Sequence, residues 1–200
     1  MIQRLFVLLV LFIFEGFASY AYADDMTVFG LTLAQDFSLP ECKKESYGYS
    51  IGGTYYVCFE RLFGEEKQSG PIVAETVKIR FPIADSPSIV KGRELLVSVI
   101  DSKLEGLRFD TFGIQDADIV LGKLKEKYGE PKVFTPRTVK NRFGGSFEAF
   151  DASWSGPNLQ VLFQSVRGSL DSGLVQIDTT KSSENRSRAI KELTKDKRPL

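Results

Sequence analysis

Two stretches of this chain close in the same way. Residues 102–111, SKLEGLRFDT, and 169–179, SLDSGLVQIDT, each present Ser, Leu, an acid, Gly and Leu in order, then alternate to a final Asp-Thr. Alternation with a period of two sends successive side chains to opposite faces, so both stretches are expected to be half-buried strands. The segments leading to them open alike, on Phe29-Gly30-Leu31 and Phe112-Gly113-Ile114. A tandem repeat with units 24–111 and 112–180 accounts for both likenesses; coincidence between two hairpins of similar composition is the alternative. The period is too long for a solenoid. The expected fold class is therefore α+β: two tandem modules, each a helix packed on an antiparallel sheet.

The second unit is the plainer one. In DADIVLGKLKEKYGEP, Ala117, Leu121, Leu124 and Tyr128 recur at helical spacing, with Gly129 placed to end the helix and Pro131 barring its continuation. Three strands follow. SFEAFDASW sets Phe150, Ala152 and Trp154 on one face, SGPN turns, LQVLFQSV returns, and GLVQIDT completes the set.

In the first unit, Ser38-Leu39-Pro40-Glu41 combines a capping-box pattern with proline at a first helical position, which predicts a short helix over 39–45 carrying Cys42. Gly52-Gly53 is expected to turn a hairpin between strands 46–51 and 54–60, with Cys58 opposite Tyr47. A straight strand back to Cys42 would leave the two sulfurs about 16 Å out of register, so a bond requires the chain to turn before Tyr47. Further on, Val77, Ile79 and Phe81 share one side of a strand, and RELLVSVIDSKLEGLRF reads as a hairpin turning near 101–106.

The N-terminus reads as an address. Arg4 precedes the apolar run LFVLLVLFIF, and Ala21-Tyr22-Ala23 sets small residues at the −3 and −1 positions of a cleavage site before Asp24. Ten apolar residues are short of the roughly 20 that span a bilayer, so a signal peptide over 1–23 is expected and no transmembrane anchor in the mature chain. An exported chain meets oxidising conditions, where an even pair of cysteines, Cys42 and Cys58, is expected to form a disulfide. The predicted localisation is periplasmic or secreted.

Charge narrows the partners. Lys181 to Leu200 holds seven Lys/Arg against three Asp/Glu, a basic C-terminal tail of net +4, which leaves −4 on residues 24–180 because the whole chain is neutral. No basic stripe runs along the folded body, so no nucleic-acid partner is expected. The tail could form a short helix capped by Ser183.

Catalytic motifs fare poorly. Gly48-Tyr49-Ser50-Ile51-Gly52 matches the nucleophile elbow G-x-S-x-G, yet a charged stretch precedes it and a Gly-Gly turn follows. The chain also contains no histidine, which removes Ser-His-Asp and Cys-His catalysis and any imidazole zinc site. Ser88-Ile89-Val90-Lys91 fits S-x-x-K, but neither S-D-N nor K-T-G accompanies it. The acids Asp101, Glu105 and Asp110 around one hairpin and Asp116 and Asp118 at a helix start are the remaining candidates for chemistry; hairpin turns and the helix dipole explain each of them better. No metal or phosphate motif is present, and no cofactor is expected.

A cluster of aromatics remains. In the hairpin register Tyr49 lies opposite Tyr56, with Tyr55 on the other face and Tyr47 nearby, an arrangement suited to protein contact as well as to packing within the sheet. The inferred architecture is similar in outline to tandem helix-on-sheet modules of outer-membrane assembly lipoproteins and secreted β-lactamase inhibitor proteins. The expected function is that of an exported, non-enzymatic protein binding another protein, of inhibitor, immunity or assembly type. A carboxylate-dependent hydrolase of envelope polysaccharide is the alternative.

Overall fold

The structure, a computed structural model, describes residues 26–43, 56–62 and 74–195. The leader with its cleavage residues Ala21, Ala23 and Asp24, the Gly48–Gly52 motif, and Tyr47, Tyr49 and Tyr55 lie outside the described residues.

Among the described residues ten strands and two α-helices follow one another. They are β1 (Thr27–Val28), β2 (Leu31–Thr32), β3 (Cys58–Arg61), β4 (Ala74–Arg80), β5 (Glu94–Ile100), β6 (Lys103–Thr111), α1 (Ala117–Tyr128), β7 (Val133–Lys140), β8 (Ser146–Ser155), β9 (Leu159–Gln164), β10 (Gly173–Thr179) and α2 (Thr180–Lys195). β1 and β2 form a small ribbon. The other strands join in one antiparallel sheet of order β3-β4-β5-β6-β10-β9-β8-β7. The mixed helix and antiparallel-sheet class is as the sequence predicts.

Register explains the core. One row crosses six strands as Val77, Val97, Leu107, Ile177, Val161 and Trp154, each paired with the next. All six are nearly inaccessible to solvent. The neighbouring row Phe109–Val175–Phe163–Ala152 lies on the same face. Val120, Leu124 and Tyr128 of α1 join this cluster, and the Trp154 indole N–H donates to the Gly129 carbonyl at 2.8 Å, fixing the C-terminal end of α1 over β8. Fully burying an aliphatic or aromatic side chain stabilises by roughly 1.5–3 kcal/mol, so this face carries most of the sheet's cohesion. The cluster runs without a break through both halves of the chain.

The residues that end each element act as their chemistry requires. Gly129 stands at φ 77°, a conformation open to glycine, and its N–H donates back to the Lys125 carbonyl at 2.8 Å. Asp101 and Ser102 both have positive φ, 51° and 64°, making the tight turn between β5 and β6 whose twist suits a hairpin. One extra residue, Glu105, bulges where the β5–β6 register shifts.

Three sequence expectations are corrected. First, no helix forms over 39–43, the described part of the expected 39–45. Glu41 instead bridges Phe59 in parallel, the Cys42 N–H donates to the Phe59 carbonyl at 2.8 Å, and the Phe59 N–H donates to the Pro40 carbonyl at 3.0 Å. The backbone groups of this segment find partners on β3, which a helix would forfeit. Second, the tail helix is longer than expected and begins at Thr180; Ser183 is inside it, and its cap is Thr179, whose hydroxyl accepts from the Ser182 N–H at 3.2 Å. Third, β7 is a strand the sequence reading did not include.

Candidate functional site

The two ends of an open sheet are where unpaired backbone groups collect, and this protein treats its two ends differently. At the β3 end, residues 40–42 lie alongside the strand and the Cys42–Cys58 disulfide, with Cα atoms 5.0 Å apart, ties them there. The predicted pairing is thus present, reached by an extended segment in place of a helix. Tyr56, just before β3, is 41% exposed. Of the four tyrosines singled out from sequence it is the one the structure describes.

At the β7 end nothing among the described residues pairs with the outer side of the strand. The direction of its backbone groups follows from Phe150. The Phe150 N–H donates to the Ser165 hydroxyl, and its carbonyl accepts from the Ser165 N–H, so both point toward β9 and away from β7. Pro136, the partner of Phe150, therefore sits in a non-hydrogen-bonded pair, where its missing N–H faces outward and leaves no gap in the ladder. By the same alternation Phe134, Thr138 and Lys140 direct their N–H and carbonyl groups outward. These form a ready row of donors and acceptors.

Exposed apolar side chains line this hairpin. Val133, Phe134, Phe143 and Phe147 all lie open to solvent. The Phe134 ring rests on Phe150 at 5.1 Å between centroids, and Phe150 rests in turn on Phe163. Arg137 is committed to the fold, donating to Asp151 and to the Val166 carbonyl. Pro136 interrupts β7, so no unbroken alternation marks the strand in the sequence. The signal was nonetheless there, in the β-branched and aromatic residues of VFTPRTVK.

The face of the sheet opposite α1 is polar. Its central row reads Lys78, Leu96, Arg108, Gln176, Leu162 and Ser153. α2 covers part of it: Arg186 grips Asp178 with both guanidinium nitrogens at 2.6 Å, Ser182 donates to the same carboxylate at 2.8 Å, and Ser183 reaches Gln160 at 2.9 Å. Shallow depressions of about 390 and 130 Å³ lie beside Asp178 and Arg186. A third of about 430 Å³ lies near Arg108, Asp110 and Arg167. Apolar side chains line them together with polar ones, Trp154, Val161 and Leu162 in the first and Leu62, Phe109 and Leu174 in the third.

Two of the candidate acids meet at one cation. Lys181 contacts Asp101 at 2.7 Å and Glu105 at 3.9 Å, and the hydrogen bond to Asp101 chiefly raises the lysine's pKa; the buried Glu105 also takes the Thr179 hydroxyl at 2.5 Å. Asp110 is exposed on β6, and Asp118 is exposed in the first turn of α1. Asp116, before α1, has its carboxyl raised by burial, opposed by the Phe112 N–H at 3.2 Å, by Thr111 and by the charge of Lys91. No second carboxylate figures among those influences. Among the described residues no cluster of acids or cysteines has the arrangement of a metal site.

The S-x-x-K match also dissolves in the fold. Ser88 lies in a turn, Ile89 and Val90 are buried, and the Lys91 ammonium donates to the Asp171 carbonyl at 2.6 Å. Asp171 is held below the usual carboxylate range, chiefly by the Ser169 hydroxyl at 2.6 Å. Among the described residues no helix is long and apolar enough to cross a membrane. Compared with known proteins, the chain matches no family model, and no curated protein or solved structure proves similar to it.

Proposed function

We propose that this is an exported binding protein of the cell envelope or secretome, of inhibitor, immunity or assembly type, which engages another protein without turning over a substrate. The observation that carries the reading is the asymmetry of the sheet: one edge is covered and tied down by a disulfide, while among the described residues β7 has no neighbour on its outer side and is flanked by exposed apolar residues. A partner's extended segment added to β7 would satisfy the outward groups of Phe134, Thr138 and Lys140 and cover Val133 and Phe134. Tyr47, Tyr49, Tyr55 and Tyr56 form the second proposed contact surface; the exposure of Tyr56 supports it.

The reading includes a signal peptide cut before Asp24 and two related modules, 24–111 and 112–180. Strand order supports the second point. Each half supplies four consecutive antiparallel strands, and the order 3-4-5-6 is mirrored by 10-9-8-7 about the β6–β10 pair. The look-alike segments form that central pair. The hydrolase alternative draws on the raised carboxyl of Asp116, which faces hydroxyl, amide and lysine in place of the second acid such chemistry requires.

The test is capture from an envelope or secretome extract on the immobilised protein. Thr138→Pro removes one outward N–H without touching the pairing to β8, and is expected to abolish capture of a stoichiometric protein. A triple alanine variant at Tyr49, Tyr55 and Tyr56 reports on the other surface. Glycan capture, or loss of nothing in either variant, would sink the reading.

A further inference from the structure

The tip of the β7–β8 hairpin presents a ring that the fold does not use. Phe143 is 97% exposed. Asn141 builds the turn beneath it: its side-chain oxygen accepts from the Phe143 N–H at 3.0 Å and from the Gly145 N–H at 2.8 Å, while its own N–H donates to the Gly145 carbonyl at 2.9 Å. Gly144, at φ 83°, completes it. The turn is thus closed by backbone and asparagine, and the phenylalanine is held outward by a rigid frame. A single exposed apolar residue is ordinary; this ring is set apart by the company it keeps, a second exposed ring, Phe147, and two exposed cations, Lys140 and Arg142.

The surroundings of the ring are specific. β8 pairs with β9 from Asp151 onward, so, among the described residues, 146–149 pair with β7 alone and the hairpin extends past the sheet as a two-stranded ribbon. Lys140 and Arg142 flank Phe143 and form no ion pair among the described residues. From 139 to 147 the chain reads VKNRFGGSF, without an acid. Phe147 is exposed farther up the ribbon, and Val139 is half-buried.

We propose that this tip docks on an anionic lipid surface, Phe143 entering the headgroup layer while Lys140 and Arg142 reach the lipid phosphates. Interfacial anchors combine these two parts, an aromatic ring for the apolar boundary and long cationic side chains for the phosphates. A second copy of the chain is a poor occupant, since two such tips would oppose like charges. A protein pocket needs an apolar surround that a lone ring on a ribbon does not provide. Lys140 belongs to both surfaces, by its backbone on the β7 edge and by its side chain here, while Phe143 and Arg142 belong to the tip alone and tell the two readings apart.

The full chain carrying Phe143→Trp tests it, because the native Trp154 is 2% exposed and reports only the core. Its emission is expected to shift to the blue, and to be quenched by chain-brominated lipid, on vesicles of equal parts phosphatidylglycerol and phosphatidylcholine but not on phosphatidylcholine alone. Adding Lys140→Gln and Arg142→Gln should weaken partitioning roughly thirtyfold, from about 1 kcal/mol per cation. The apolar leader is common to all variants, so the difference reads the tip. An emission that stays that of a hydrated ring on both vesicles overturns the proposal, as does an equal shift on both. A shift produced by an envelope protein fraction and by neither vesicle would replace the lipid with a protein pocket and overturn it equally.

Discussion

Gly106 of β6 faces Asp178 of β10 across the central strand pair, and the Asp178 carboxylate occupies the space where a β-carbon on residue 106 would lie. Five residues along, the relationship recurs in reverse. Gly173 of β10 faces Thr111 of β6, whose hydroxyl stands 2.5 Å from the corresponding position. Each half of the chain gives up a side chain so that the end of the other half's strand can pack against it. The glycine shared by the two look-alike segments is thereby explained by close approach.

Alanine at these positions should destabilise the protein unequally. At Gly106 the new methyl meets Asp178 and the Ser182 hydroxyl, side-chain atoms that yield only by loosening their bonds to Arg186 and to each other but leave the backbone in place; the expected loss is about 1–3 kcal/mol. At Gly173 it also meets the carbonyls of Gln164 and Ser165 at 2.8 and 2.9 Å, backbone that cannot move without breaking the β9–β10 ladder. Gly173→Ala is expected to lose more, about 3 kcal/mol or above. Urea midpoints of the two variants check the order; a Gly173→Ala midpoint equal to that of wild type would contradict the packing.

Breaking the disulfide should act locally as well as globally. Its loop closes over a separation of 16 residues, for which the unfolded-state restraint contributes roughly 3 kcal/mol. The bridge also holds the cover of β3, so a Cys42→Ser, Cys58→Ser protein is expected to lose hydrogen-exchange protection first at Cys42→Ser itself and at Phe59, whose N–H groups bond across that seam. Protection over β8, β9 and β10 should persist. Mild reduction of the native chain gives the same readout without substitution, and a uniform loss across the sheet would show that the seam has no separate stability.

What could be foreseen from sequence divides along the range of the interactions. α1, β8, β9 and β10 were legible because their periodicity, Gly129 and the SGPN turn are local signals. The segment 40–42 was not, because the capping pattern at Ser38 competes with a ladder to Phe59 that no local signal encodes. β7 was hidden by Pro136, tolerated there only because the strand is at the edge. The candidate surface was harder still. Alternation assigns Phe134 and Phe147 to strand faces but does not say that their sheet stops beside them, and Phe143 has no pattern at all. The adjacency of β6 and β10 was foreshadowed by their likeness, though pairing across so many residues cannot be read from either alone.

Asp116 sets a pH dependence whose sign follows from its burial. Desolvation raises its carboxyl above the ordinary value of 3.8, so the folded state binds the proton more tightly than the unfolded chain does. Between 3.8 and the raised folded value, the folded state carries more protons, and stability falls as pH rises through that window. Above it the full penalty of the buried charge stands; below 3.8 it is gone. Asp116→Asn keeps an oxygen to accept the Phe112 N–H and carries no charge, so the variant is expected to be more stable than wild type at neutral pH. The gap between them should close as the pH is lowered through the window, whatever the other groups of the protein contribute, because they are common to both. Chemical denaturation of the pair at several pH values measures that gap. Were the asparagine protein the less stable of the two at neutral pH, the hydrogen bond from Phe112 and the charge of Lys91 would outweigh burial, and the carboxylate would be a supporting element of the turn before α1.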